Sequence, residues 1–150
     1  MINLALNTYL HILLIIVIFC CLVAELMLVN NQISFRTMRK LSKIDGLYGL
    51  AAIIVITTGL LNWMKLGKGY DYYSNNSLFI IKFSLFVVVG LLSLYPTILL
   101  AKLKKRHKKD QLAVIQLSHS NTIRKIIMLD LGIMAFIPLL TELMANGIDL

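Results

Sequence analysis

Charge is what this chain of 150 residues has least of: Asp, Glu, Lys and Arg together make up 15% of it, against about 25% in soluble domains. Seven acidic residues and three histidines leave few candidates for acid–base or metal chemistry. There is no HExxH pair, no Gly-rich phosphate loop, no CxxCH haem attachment and no Ser/His/Asp set with workable spacing. The two cysteines, Cys20 and Cys21, are neighbours inside one apolar run. That excludes a loop-closing disulfide and a CxxC pair, and makes them packing residues. No Lys or Arg precedes His11, so the basic n-region of a signal peptide is missing and the first apolar run is expected to stay in the mature protein.

What the chain does have is long apolar sequence. Hydrophobic residues make up 59% and the mean hydropathy is +0.82, which reads as an integral membrane protein with room for four spans of about 20 residues and no soluble domain. The spans are expected at about Thr8 to Val29, Gly46 to Met64, Leu78 to Leu100 and Ile123 to Ala145. The fold class is therefore an all-α, four-helix transmembrane bundle forming a single domain.

The net charge of +8 would suggest nucleic-acid binding in a soluble chain. Here fourteen of the fifteen Lys and Arg residues fall in loops or at span ends, and no nucleic-acid partner is expected. Four basic residues lie in the first loop, two in the second and eight in the third with the start of span four. By the positive-inside rule both termini face out, and the first and third loops face in. In the first loop, the spacing of Ile33, Phe35, Met38 and Leu41 suits a short amphipathic helix on the membrane surface. Asp45 stands where an N-cap or first-turn anion is favoured for span two, and Gly49, Ala52 and Gly59 give that span a narrow side for helix packing or a homo-oligomer contact. Trp63, Tyr70, Tyr72 and Tyr73 fit an interfacial aromatic belt.

The exceptional cation is Lys82, about one turn inside span three, where a charge costs up to about 2.5–3.5 kcal/mol near a helix centre. Ser93 lies on nearly the same face, and Pro96 should weaken or kink the last turns. In span one, His11 and Glu25 are fourteen positions apart and return to within about 40° of one face. With the spans placed by depth, His11, Lys82 and Glu142 fall within about 5–8 Å of the outer interface and can meet. Glu25, Asp45 and Asp130 form a second, structural polar layer toward the cytoplasm, with Arg39, Lys40, Lys43 and Arg124 at a depth that could neutralise them.

Two chemistries suit the outer trio. His11 can be an axial ligand to haem b, with Lys82 on a propionate or in the other axial position. Alternatively, His11, Lys82 and Glu142 can pass protons or bind an anionic solute, as in a small transporter or channel subunit. Lys82 paired with Glu142 or snorkelling to headgroups, and His11 as an ordinary amphipathic residue, are the structural alternatives. A single intramembrane histidine excludes a bis-His haem within one subunit, so that arrangement needs a second protomer. A structural role in a larger membrane complex also remains open.

The stretches HILLIIVIFCCLVAEL, LSKIDGLYGLAAIIVITTGLL, KGYDYYSNNSLFIIKFSLFVVVGLLSLYPT and IPLLTELMANG resemble a bacterial family of four-span membrane proteins, domain of unknown function twenty-two fourteen. Asp45-Gly46-Leu47-Tyr48-Gly49 and Leu92-Ser93-Leu94-Tyr95-Pro96-Thr97 are the most specific of these matches. The resemblance implies a multi-pass protein of the bacterial inner membrane and brings no activity with it. More distantly, the layout is similar to HemJ-type protoporphyrinogen oxidases and CopD-like membrane domains. In the HemJ type a first-span His and a third-span Lys are associated with haem, and these would fall on His11 and Lys82. Cys20, Cys21 and Glu25 depart from the aromatic, Arg-rich pattern of that type, and no Met/His cluster suits copper delivery.

Overall fold

A computed structural model describes residues 2–67, 70–106, 114–116 and 119–146. Four helices, each long and apolar enough to cross a membrane, make up nearly all of it. Helix α1 spans Ile2–Leu28, α2 Phe35–Leu61, α4 Ser77–Arg106 and α5 Ser120–Ala145, and a short α3 covers Tyr70–Ser74. Two short strands, β1 (Gln32–Ser34) and β2 (Val114–Gln116), pair antiparallel with Ile33 opposite Ile115.

The outward faces of the helices are as apolar as the core. Ile16, Ile53, Leu91 and Leu139 are each more than half exposed. In water such surfaces are an aggregation liability; against lipid they satisfy the chain. The β1–β2 ribbon ties the α1–α2 connection to the α4–α5 connection, so the two most basic loops share one end of the bundle. His107, Lys108 and Lys109 of the third loop, and Lys68 of the second, lie outside the described residues.

The first loop departs from expectation. No separate surface helix lies there: Phe35, Met38 and Leu41 belong to α2 itself and are buried, as is Ile33 in β1. Ser34 caps α2, its hydroxyl accepting from the Thr37 N–H at 3.1 Å, and this early start buries the apolar residues that would otherwise meet headgroups. Asp45 is consequently not an N-cap; it sits three turns inside the helix. At the other end, α2 runs into one turn of π-helix, Asn62–Leu66. Helix α4 continues through Pro96 for ten further residues.

The aromatic residues between α2 and α4 form a packed cluster. Trp63 stacks on Tyr70 (centroids 5.6 Å apart, 7° between planes), meets Phe79 at 5.2 Å, and donates Nε1–H to Ser74. Gly67 closes the turn beneath it. A Cβ there would come within 2.4 Å of the Asn62 carbonyl and 2.7 Å of the Tyr73 hydroxyl.

Candidate functional site

Each long helix carries a polar side chain on its inward stripe that is flanked one turn above and below by buried neighbours. On α1 the series is Leu22, Glu25, Val29; on α2 it is Leu41, Asp45, Tyr48; on α4, Val89, Ser93, Pro96; on α5, Ile127, Asp130, Met134. The core is thus apolar, then polar, then apolar. Glu25 is 3% exposed and Asp130 1%, while Asp45 is half-buried.

Hydrogen bonds organise the layer as two rungs between α2 and α4. Tyr48 and Ser93 hydroxyls are 2.8 Å apart, and Thr97 Oγ1 is 2.6 Å from Asp45 Oδ1. A spacing of three residues on α2 thereby matches four on the antiparallel α4. Ser93 also donates to Asp130 Oδ2 at 2.9 Å. Its one proton is spent there, so Tyr48 donates to Ser93 and a donor chain runs Tyr48 to Ser93 to Asp130. Two carboxylate oxygens, Glu25 Oε1 and Asp130 Oδ1, are buried without a partner among the described residues. Glu25 lies within electrostatic range of both Asp45 and Asp130.

Of the basic residues expected to neutralise these acids, Lys40 and Lys43 are exposed and Arg124 and Arg39 make contacts elsewhere. Arg124 donates to the Val29 carbonyl at 3.1 Å, capping the end of α1, and Arg39 lies over the Phe35 ring. Among the described residues, none of Glu25, Asp45 and Asp130 has a cationic partner. No group of three His, Cys, Asp or Glu side chains among the described residues is arranged to hold a metal ion.

The outer trio divides differently from the sequence expectation. His11 faces α2, where Nδ1 lies 2.8 Å from Thr58 Oγ1 and Cε1 approaches Gly59 so closely that a Cβ there would stand 3.3 Å away. Thr58 donates its own proton to the Ile54 and Val55 carbonyls (2.9 and 3.1 Å). Its oxygen therefore accepts, Nδ1 carries the imidazole proton, and Nε2 keeps its lone pair. One turn further out, Asn7 donates to the Thr58 carbonyl and to Asn62 Oδ1, at the start of the π-turn. Lys82 is close enough to act on the His11 ring electrostatically, and its Nζ lies 5.4 Å from the Phe79 centroid. Glu142 does not join them. It is exposed and accepts from Asn146 Nδ2 at 3.1 Å, one turn along its own helix. The Gly59 face expected to serve an oligomer is taken by His11 of the same chain, whereas nothing lies within 4 Å of a Cβ at Gly49.

Tyr48 and Thr58 were not singled out by helix-face arithmetic. The signal for Tyr48 lay in the two most specific segments of the sequence, DGLYG and LSLYPT, which supply both sides of the α2–α4 rungs. The register that sets Asn7 opposite Asn62 and His11 opposite Thr58 likewise carries Glu25 to the level of Asp45.

No curated protein and no solved structure matches the chain. The model of the family described as Predicted membrane protein (DUF2214) matches residues 3–149, and the chain belongs to that family.

Proposed function

We propose that this membrane protein handles protons or small cations, as a small transporter or channel subunit, and that the carboxylate layer Glu25, Asp45 and Asp130 is where the ion resides. The observation that carries this is the pair of buried carboxylate oxygens without partners in a layer that has no cationic side chain of its own among the described residues. Moving a carboxylate from water to a low-dielectric interior costs several kcal/mol even after relaxation. A bundle carrying three such groups at one level offsets that cost by holding protons or a cation there, and ionisable groups retained inside a membrane usually mark an ion path. By the positive-inside rule this layer lies in the cytoplasmic half of the inner membrane, with both termini outside.

Purified protein in liposomes, under an imposed pH or cation gradient, should show flux that disappears in Asp130→Asn and in Glu25→Gln. Wild-type liposomes with no more proton or cation leak than empty ones would overturn the reading.

A second reading, haem b binding with a redox role, is favoured by one observation: with Nδ1 donating to Thr58, the Nε2 of His11 carries a lone pair. The residues present suit the group. His11 would hold the iron through Nε2 with Thr58 orienting the ring from Nδ1, and Lys82, within electrostatic range of His11, would pair with a propionate. Bound haem would supply one-electron chemistry, and a second histidine would come from another protomer. Protein from haem-replete cells should then show Soret absorbance that is lost in His11→Ala; a colourless preparation refutes this reading and leaves the first intact.

A further inference from the structure

Resting on the ion-handling reading of the carboxylate layer, we infer that the ion is the proton and that the Tyr48–Ser93–Asp130 chain is the path by which it moves within the layer. Two observations select the proton over a metal cation. First, among the described residues the acids are not gathered into a group able to ligate a metal. Second, the layer is wired with hydroxyls, each able to donate and accept at once, in an unbroken chain at 2.8 and 2.9 Å.

The second rung adds a further hydroxyl to the layer: Thr97 Oγ1 donates one proton shared between Asp45 Oδ1 at 2.6 Å and the Ser93 carbonyl at 2.9 Å.

The other titratable groups within electrostatic range of the chain are Glu25 from α1 and Asp45 from α2, with Cys21 beside Glu25. Glu25 and Asp130 each turn an unpartnered oxygen into the layer while being more than nine-tenths buried, so each is a terminus at which a proton or a water molecule can be received. The transfer balances as follows. Glu25, as a carboxylic acid, gives its proton through one water molecule to Tyr48 Oη; the original Tyr48 proton passes to Ser93 Oγ, and the original Ser93 proton to Asp130 Oδ2. Each hydroxyl forms one O–H bond and loses one, the water is returned, Glu25 becomes the carboxylate and Asp130 the acid. The reverse sequence resets the chain.

The test is proton and sodium or potassium flux into proteoliposomes, with a pH-sensitive dye and cation-selective dyes, for the wild type, Tyr48→Phe, Ser93→Ala, Ser93→Thr and the lipid-facing control Tyr95→Phe. Each variant is first shown to give the wild-type thermal melt in detergent. Expected are proton flux in the wild type, a loss of about a hundredfold in Tyr48→Phe and Ser93→Ala, at the low end of what a positioned proton-transfer group contributes, recovery in Ser93→Thr, and no change in Tyr95→Phe. Sodium or potassium flux without proton flux overturns the inference and leaves the ion-handling reading standing. Proton flux that survives both Tyr48→Phe and Ser93→Ala overturns the path. Absence of all flux overturns the reading beneath it as well. If Tyr48→Phe fails to fold, the Ser93→Ala and Ser93→Thr pair decides alone.

Discussion

Replacing Asp130 with asparagine should abolish ion flux and yet leave the bundle nearly as stable as before. Asp130 is 1% exposed, one of its oxygens accepts from Ser93 at 2.9 Å, and the other has no partner. An amide has the same shape as a carboxylic acid, so its oxygen keeps the Ser93 bond and its NH2 occupies the place of the unpartnered oxygen. If the layer is neutral because it holds protons, the exchange alters at most about one hydrogen bond, worth roughly 0.5–1.5 kcal/mol. If Asp130 were instead one half of a buried ion pair, removing its charge would strand the other half at a cost of about 3–5 kcal/mol. A chain of this size shifts its melting temperature by about 2–4 °C per kcal/mol. The two cases therefore separate at roughly 6 °C in a detergent melt followed through Trp63 fluorescence. A loss of about 6–20 °C would refute the argument that the layer carries no cationic side chain.

Other consequences are simpler to check. Ser34→Ala removes the N-cap of α2 and should cost about 1 kcal/mol in the same melt, with no effect on flux. Gly67→Ala forces a Cβ into the Asn62 carbonyl; it should cost about 1–3 kcal/mol and shift Trp63 emission to the red as the aromatic cluster opens. In a background lacking Cys20 and Cys21, Gln32→Cys should react with an impermeant maleimide only after the cells are opened and Asp71→Cys in intact cells. The opposite pattern would reverse the orientation drawn from the basic loops.

The four spans were legible in the sequence because a span needs only length and apolarity, and both are local. The side chains that share a layer were not, for two reasons. Helix-face arithmetic fixes angles around one helix, as it did for His11 and Glu25, but says nothing of how far a neighbouring helix is slid along it. That slide here follows from where α2 starts: with the cap at Ser34 rather than Asp45, Asp45 moves inward to the level of Glu25, and Tyr48 meets Ser93. Glu142 fails for the other reason. Depth placed it with His11 and Lys82, but its azimuth on α5 is away from the buried stripe of Met134, Ile137, Leu140 and Met144, so equal depth did not become contact.

The α1–α2 pair joins the two polar regions, and its composition limits how they can communicate. Fourteen residues of α1 separate His11 from Glu25, about 21 Å at 1.5 Å per residue, and the stretch between them packs Ile18 and Leu22 against Ala51 and Val55 in one buried apolar cluster. No direct proton transfer spans that distance. A coupled pathway would need water to enter the apolar belt, and water enters such a belt only when the helices part, since a dry cavity lined by aliphatic side chains offers it no partners. The carboxylate layer is closed on its other side as well, by Ile33, Met38, Leu41 and Ile123. An ion site shut off by packed apolar layers above and below is the arrangement that alternating access requires and that an open channel does not. Between the two forms of the ion-handling reading, the packing therefore favours the transporter.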